Sequence, residues 1–158
     1  SVASMSDIVW AINPRRDSLL DLVRRMRRFA NEIFATRKIE FQFRAPETEQ
    51  DLKLGANIRR DVFLVFKEAL NNAMRHSDCA NVDIELRLER SWLVLKVSDD
   101  GRGFDASVSS DVQGLLSMER RAKSLGGQLH LNSCLGKGTE IVLRVSRGRR
   151  TEEAIRKD

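Results

Sequence analysis

Residues 58–103 read IRRDVFLVFKEALNNAMRHSDCANVDIELRLERSWLVLKVSDDGRG. Ile58, Val62, Val65, Phe66, Ala69, Leu70 and Ala73 recur at three-and-four spacing, which predicts an amphipathic helix from about Ile58 to Arg75. Val82, Ile84, Leu86 and Leu88 then alternate with charged residues, the period-two signature of a half-buried strand. After a turn near Glu89 to Ser91, Leu93, Leu95 and Val97 form a second strand. That strand runs into Asp99-Asp100-Gly101-Arg102-Gly103, the start of a loop rich in Gly, Ser and Asp that reaches Gly114. A helix followed by two adjacent strands does not alternate as parallel βαβ units do, so the expected fold is α+β.

Working outward, Leu19, Leu22, Val23, Met26, Phe29, Ala30, Ile33 and Phe34 predict an earlier amphipathic helix of about five turns. Asn13-Pro14 breaks the chain before it, and Asp17 or Ser18 caps it. Arg24, Arg25, Arg27 and Arg28 crowd its other face. Ile39, Phe41 and Phe43 make a strand ended by Pro46. Leu115 to Leu125 predict a third helix stopped by Gly126-Gly127. Gln128 to Leu131 and Thr139 to Val145 give two final strands joined through Gly136-Lys137-Gly138. The expectation is a two-layer sandwich, a mixed sheet of about five strands with about three helices on one face.

The chain has 158 residues, 28 basic and 23 acidic side chains, and only two histidines, His76 and His130. The net charge of +5 permits an anionic partner without naming one. Cys79 and Cys134 are too few for a disulfide framework, and with two scattered His they lack the spacing of a zinc site. No stretch approaches the roughly 20 apolar residues of a membrane span. Arg15 and Arg16 interrupt any signal-peptide core, so the expected compartment is the cytoplasm. The opening Ser-Val-Ala-Ser suggests a piece of something longer, and residues 147–158 suggest a frayed charged tail.

Three short stretches carry chemistry-bearing residues. In KEALNNAMRHS (67–77), Glu68, Asn72, Arg75 and His76 share one helix face beside the apolar stripe. An amide or carboxylate oxygen there suits Mg²⁺, which keeps waters and phosphates in its shell, and Arg75 and His76 can meet phosphate oxygens. A plain solvated helix face with an i,i+4 pair accounts for the same residues. In DDGRGF (99–104), Gly101 and Gly103 permit close backbone approach to a ligand, and Asp99 can accept from an exocyclic amine; Asp-Gly turns are also common without function. Gly114 leads a helix whose first amides suit phosphate, and Gly136-Lys137-Gly138-Thr139 is a tight turn or a simple hairpin.

Taken in their order, these stretches resemble the catalytic ATP-binding domain of bacterial sensor histidine kinases, in the superfamily of gyrase, heat-shock chaperone and mismatch-repair ATPases. KEALNNAMRHS is similar to its N box, DDGRGF to its first glycine box, QGLLSMERRAKSLGG (113–127) to its second, and GKGT (136–139) to its last glycine motif. MSDIVWAINP (5–14), RRFANEIF (27–34) and IEFQFRAP (39–46) resemble the short-lid, LiaS- and NarX-like class of two-component kinases. The resemblance divides the chain into residues 1–36, the end of a dimerisation helix or linker, 37–146, the ATP-binding domain, and 147–158, the tail. An apolar stripe in a linker helix would then be left looking for a partner.

The resemblance implies ATP and Mg²⁺ as cofactors, with Asn72 on the metal and Glu68 polarising the attacking group or a metal-bound water. It places Asp99 on the adenine amino group, Gly101, Gly103 and Phe104 around the base, and Arg75 and His76 near the phosphates. Gly114 and Leu115 would close a lid over the triphosphate, and Gly138 and Thr139 would support Asp99 or a water beside adenine. The implied partners are a phosphoacceptor His helix, a response regulator and a second copy of the full-length protein, with any membrane anchor in other segments. Val112-Gln113-Gly114 keeps only the second glycine of the usual GxG, and the family's Phe-rich box is missing. Residues 1–36 contain no histidine, and neither His76 nor His130 fits the acceptor position. Related readings are a Ser kinase of the anti-sigma type and a degenerate nucleotide-binding domain. A nucleic-acid module built on Arg24, Arg25, Arg27 and Arg28 lacks a stacking platform and a recognised motif.

Overall fold

The computed structural model describes residues 4–5, 18–46, 52–75, 80–103 and 112–146, and of residue 112 the backbone only. The elements in chain order are α1 (Leu19–Ala35), β1 (Glu40–Arg44), α2 (Ala56–Arg75), β2 (Asn81–Glu89), β3 (Trp92–Asp99), α3 (Val112–Ser124), β4 (Gln128–Ser133) and β5 (Thr139–Ser146). The expected break at Asn13-Pro14 and the tail at 147–158 lie outside the described residues.

The five strands form one sheet in the order β1-β2-β3-β5-β4. β1 runs parallel to β2, and the β2–β3, β3–β5 and β4–β5 pairs are antiparallel. The parallel pair is joined through α2, as a parallel connection requires. Alternation sorts the two faces. Val82, Ile84, Leu86, Leu93, Leu95, Val97, Ile141, Leu143 and Val145 are buried beneath the helices. The opposite face carries cross-strand ion pairs such as Arg44–Asp83 at 2.7 Å and Lys96–Glu140 at 3.6 Å. The expected sandwich of three helices on a five-stranded mixed sheet is thus the observed architecture among the described residues.

Ser18 caps α1 by accepting the Asp21 amide at 3.1 Å. Leu19, Leu22, Val23, Met26, Ala30 and Phe34 are all buried, and they share one continuous core with α2 and the sheet. The Leu19 amide also donates to the Leu52 carbonyl at 2.7 Å, tying the start of α1 to the segment before α2. This corrects the expectation that the stripe of residues 15–36 lacks a partner. The boundary at 36/37 runs through packed core, because the apolar face of α1 finds its cover on α2 and β1 of the same chain. The basic residues are not a free stripe either. Arg25 stacks over Phe63 at 5.4 Å, and Arg27 over Phe43 at 4.5 Å while donating to the Phe43 carbonyl.

The third helix starts earlier than its apolar pattern predicts. It begins at Val112, so Gly114 lies inside the first turn instead of preceding it. It ends where expected, in a Schellman closure: Gly126 N–H donates to Lys123 O and Gly127 N–H to Ala122 O.

Because α1 is core, Met26→Ala lowers the unfolding free energy by about 2–5 kcal/mol in denaturant melts. Leu20→Ala, on the exposed side of the same helix, changes it by less than about 0.5 kcal/mol. Equal, small effects at both positions would return α1 to the status of a linker.

Candidate nucleotide site

α2 carries polar residues into the interior. Glu68 and Asn72 are each 3% exposed, although both lie on a helix that supplies core residues on either side of them. A solvated helix face is therefore not what these residues form. Arg75, the last residue of α2, folds back along the same stripe. Its Nη2 donates to Glu68 Oε1 at 2.8 Å and to Asn72 Oδ1 at 3.3 Å. Since a guanidinium only donates, the Asn72 oxygen must face Arg75. The amide nitrogen Nδ2 is then left buried with no partner among the described residues. A buried amide donor without an acceptor is costly in an apolar interior, and it marks a place where an oxygen-bearing ligand would be stabilised.

Gly114 completes this end of the site. A Cβ there would overlap the Glu68 carboxylate, so glycine lets the first turn of α3 lie directly on Glu68. The carboxylate thus sits at the positive end of the α3 macrodipole as well as against Arg75. Leu115 follows, half-buried and packed against the core.

β3 delivers the second part. Pairing register places Val82, Asp99 and Thr139 side by side across three strands. Val82 faces the helices, so Asp99 and Thr139 do too, at the end of the buried row Leu93, Leu95, Val97. Asp99 Oδ1 accepts the Gly101 amide at 2.9 Å. Thr139 is buried, with its hydroxyl 2.8 Å from that of Ser133. Two close backbone approaches hold the loop after β3. At Gly103 (φ 67°) a Cβ would overlap the Cys134 carbonyl, and at Gly138 (φ 76°) it would overlap the Asp99 carbonyl. The Gly136 amide donates to the Arg102 carbonyl across the same contact. The GKGT turn is therefore the wall against which the Asp99 loop is built, and more than a hairpin.

Asp100, the next residue, has a different task. It accepts the Ala80 amide at 2.8 Å, the Asn81 amide at 3.0 Å and the Asn81 side-chain amide at 2.9 Å. These bonds, first of all that from the Asn81 side chain, hold its carboxyl below the ordinary range. They also place the segment leaving α2 at the end of β3. Only residues 76–79 separate Arg75 from Ala80, so the α2 and β3 parts lie at one edge of the sandwich.

The structure thus brings Glu68, Asn72 and Arg75 together with Gly114, and Asp99, Gly101 and Gly103 together with Gly138 and Thr139. His76 and Phe104 lie outside the described residues. Sequence reasoning did not single out Asp61 or Arg59, both buried on α2. Arg59 turns its Nε onto the Leu54 carbonyl at 3.1 Å. Asp61 stands seven residues before Glu68, so its place on the Glu68 face was readable from spacing. Among the described residues there is no group of three or more His, Cys, Asp or Glu able to hold a metal alone. An amide and one carboxylate nevertheless fit an ion that takes few protein ligands and completes its shell with phosphates and water.

Comparison with known proteins bears on the family and the fold. Residues 57–149 match the family described as histidine kinase-, DNA gyrase B-, and HSP90-like ATPase. The sensor histidine kinase LiaS of Bacillus subtilis is 38% identical over 97 residues, 61% of this chain and 27% of LiaS. The sensor protein VraS of Staphylococcus haemolyticus is 33% identical over 93 residues, 58% of this chain and 27% of VraS. The chain thus spans about a quarter of the length of these curated relatives. Among solved structures, the histidine kinase domain of the Erythrobacter litoralis blue-light activated kinase superposes with a TM-score of 0.68 at 22% identity, covering 83% of this chain and 67% of that one. The catalytic domain of the histidine kinase ThkA gives 0.65 at 15% identity, covering 82% and 94%. These two likenesses show the same fold.

The depressed pKa of Asp100 makes its contribution to stability present above the ordinary carboxylate value and lost as pH falls through the lower folded value. Asp100→Ala accordingly lowers Tm at pH 7, and the gap to wild type closes as pH drops below about 4. A gap that persists unchanged at pH 3 would show that the ties to Ala80 and Asn81 do not depend on charge.

Proposed function

This chain belongs to the histidine kinase-, DNA gyrase B-, and HSP90-like ATPase family, and from that premise we propose that it binds ATP with Mg²⁺ and donates the γ-phosphoryl group to a histidine on another segment. The observation that carries this reading is the buried Glu68–Asn72 pair with its unpartnered amide, at the same edge of the sandwich as an inward-facing Asp99.

Asp99 accepts from the adenine amino group through its carboxylate, and Thr139, its neighbour in the sheet register, flanks it. Gly101 and Gly103, with Phe104, give the base its floor, and Gly138 lets the opposing turn approach. Asn72 would hold Mg²⁺ through its side-chain oxygen, and Arg75 would meet the phosphates. Mg²⁺ supplies neutralisation of phosphate charge when bound. Glu68, on the same helix stripe as Asn72, orients the attacking group. His76 lies one residue beyond Arg75 and adds a donor on the phosphate side. Gly114 and Leu115, in the first turn of α3, present helix N-terminal amides to the triphosphate and form the hinge of a lid. The bond broken is that between the γ-phosphorus and the β,γ-bridging oxygen, and the bond formed is from phosphorus to an imidazole nitrogen.

The acceptor histidine belongs to a dimerisation helix of the whole kinase, and the phosphoryl group passes on to an Asp of a response regulator. His130, on edge strand β4, is on the wrong element for that role. We place the domain in the cytoplasm, with membrane attachment, if any, through other segments. No described helix is long and apolar enough to cross a membrane.

ATP with Mg²⁺ raises the Tm of the chain by mass action, worth about 2.7 kcal/mol at a hundredfold excess over Kd. Asp99→Asn removes that stabilisation, and Asn72→Ala removes its dependence on Mg²⁺, both read by calorimetry. Asp99→Asn binding like wild type would overturn the adenine assignment. A histidine-bearing dimerisation helix supplied in trans takes up acid-labile phosphate; acid-stable label would point to serine chemistry.

A further inference from the structure

The phosphate side of the site is built between two helices, and two contacts join them, a close approach and a polar fastening. One is Gly114 of α3 lying on Glu68 of α2. The other is Asp61, whose side chain is 4% exposed. Its Oδ1 takes Arg121 Nη1 at 3.1 Å and its Oδ2 takes Ser124 Oγ at 3.3 Å, both from α3. Arg60 of its own helix adds Nε at 3.2 Å and Nη2 at 3.4 Å.

The spacing between these contacts is the same on both helices. Asp61 precedes Glu68 by seven residues, and Arg121 follows Gly114 by seven. The helices are therefore antiparallel here, and each spans roughly 10 Å, two turns, between the two contacts. The apolar residues of α3 in the common core, Met118 and Ala122, attract without direction and would tolerate sliding or rotation. A carboxylate held by two directed bonds across the interface does not.

We propose that Asp61 is a positioning residue: by fixing the axial register of α3 on α2, it holds Gly114 against Glu68 and aims the first turn of α3 at the phosphates. Stability alone is a poor reason for this arrangement, since an apolar pair of the same volume usually serves a core as well or better, whereas fixing register is what buried polar groups do best. Arg60, two-fifths exposed, and Arg121, a quarter exposed, keep the carboxylate neutralised from both helices.

The proposal rests on the ATP reading for its consequence and on geometry for its cause, so two measurements separate them. In hydrogen exchange of the ligand-free chain, Asp61→Asn speeds exchange at residues 114–118, up to two turns along α3 from Arg121, and leaves the β3 and β5 amides protected as in wild type. In calorimetry with ATP and Mg²⁺, at a temperature where each variant is folded by circular dichroism, Asp61→Asn binds about tenfold more weakly. Arg121→Lys, which keeps the charge, stays within about threefold of wild type. If Asp61→Asn does not fold, Arg121→Gln and Ser124→Ala carry the same two measurements, with smaller changes of the same pattern. Unchanged exchange at 114–118, or faster exchange spread evenly over the domain, overturns the proposal. So does wild-type affinity in a variant of lowered Tm. If the wild-type chain itself binds no nucleotide, the ATP reading falls, and the exchange pattern alone decides the register.

Discussion

Glu68 and Asn72 are held out of water on a helix whose neighbouring residues make the core, and most of the domain is arranged around that constraint. A buried carboxylate needs compensating charge and donors, which Arg75 provides by folding back from the end of α2 and α3 provides with its N-terminal turn. That turn reaches the carboxylate only because residue 114 has no side chain. The helices can hold this relation only if their register is fixed elsewhere, and Asp61 with Arg121 and Ser124 is the place where directed bonds cross between them. The cost that remains, the unpartnered nitrogen of Asn72, is located where the proposed ligand brings oxygen.

The sheet contributes through register more than through sequence identity. Asp99 faces the helices because it continues the row of Leu93, Leu95 and Val97, while Asp100, one residue later, turns to the backbone of residues 80 and 81. The period of the strand thus sends two adjacent carboxylates different ways, one towards the helices and one to residues 80 and 81. The glycines at 103 and 138 then allow the loop after β3 and the turn before β5 to touch backbone to backbone, so that neither is an independent loop.

Most elements were legible in the sequence, since the three apolar stripes and the alternation of β2, β3 and β5 are strong periodic signals. What was not legible depended on partners distant in the chain. The stripe of α1 reads the same whether its cover is another molecule or α2, and only the packed core shows that it is α2. Asp61 beside Arg60 reads as a solvated pair until Arg121, sixty residues on, is seen against it. The role of Asp100 was hidden because its partners are backbone and amide groups about twenty residues earlier. The polar residues near the apolar stripe of α2 were singled out by type and spacing, but their burial is a property of the assembled helices.

The two ends of the sheet have a consequence of another kind. Among the described residues β1 and β4 are its outer strands, five and six residues long, and each leaves one row of backbone groups without a neighbouring strand. Such rows can template pairing with a foreign strand or a second copy. Here Glu40, Gln42 and Arg44 on one edge and Gln128, His130 and Asn132 on the other alternate polar side chains along short strands, and Pro46 follows the first soon after its end. A strand added at either edge would have to desolvate these groups for few hydrogen bonds. The five described strands thus end on edges that resist further pairing, which guards the domain against growing into an aggregate through its own sheet.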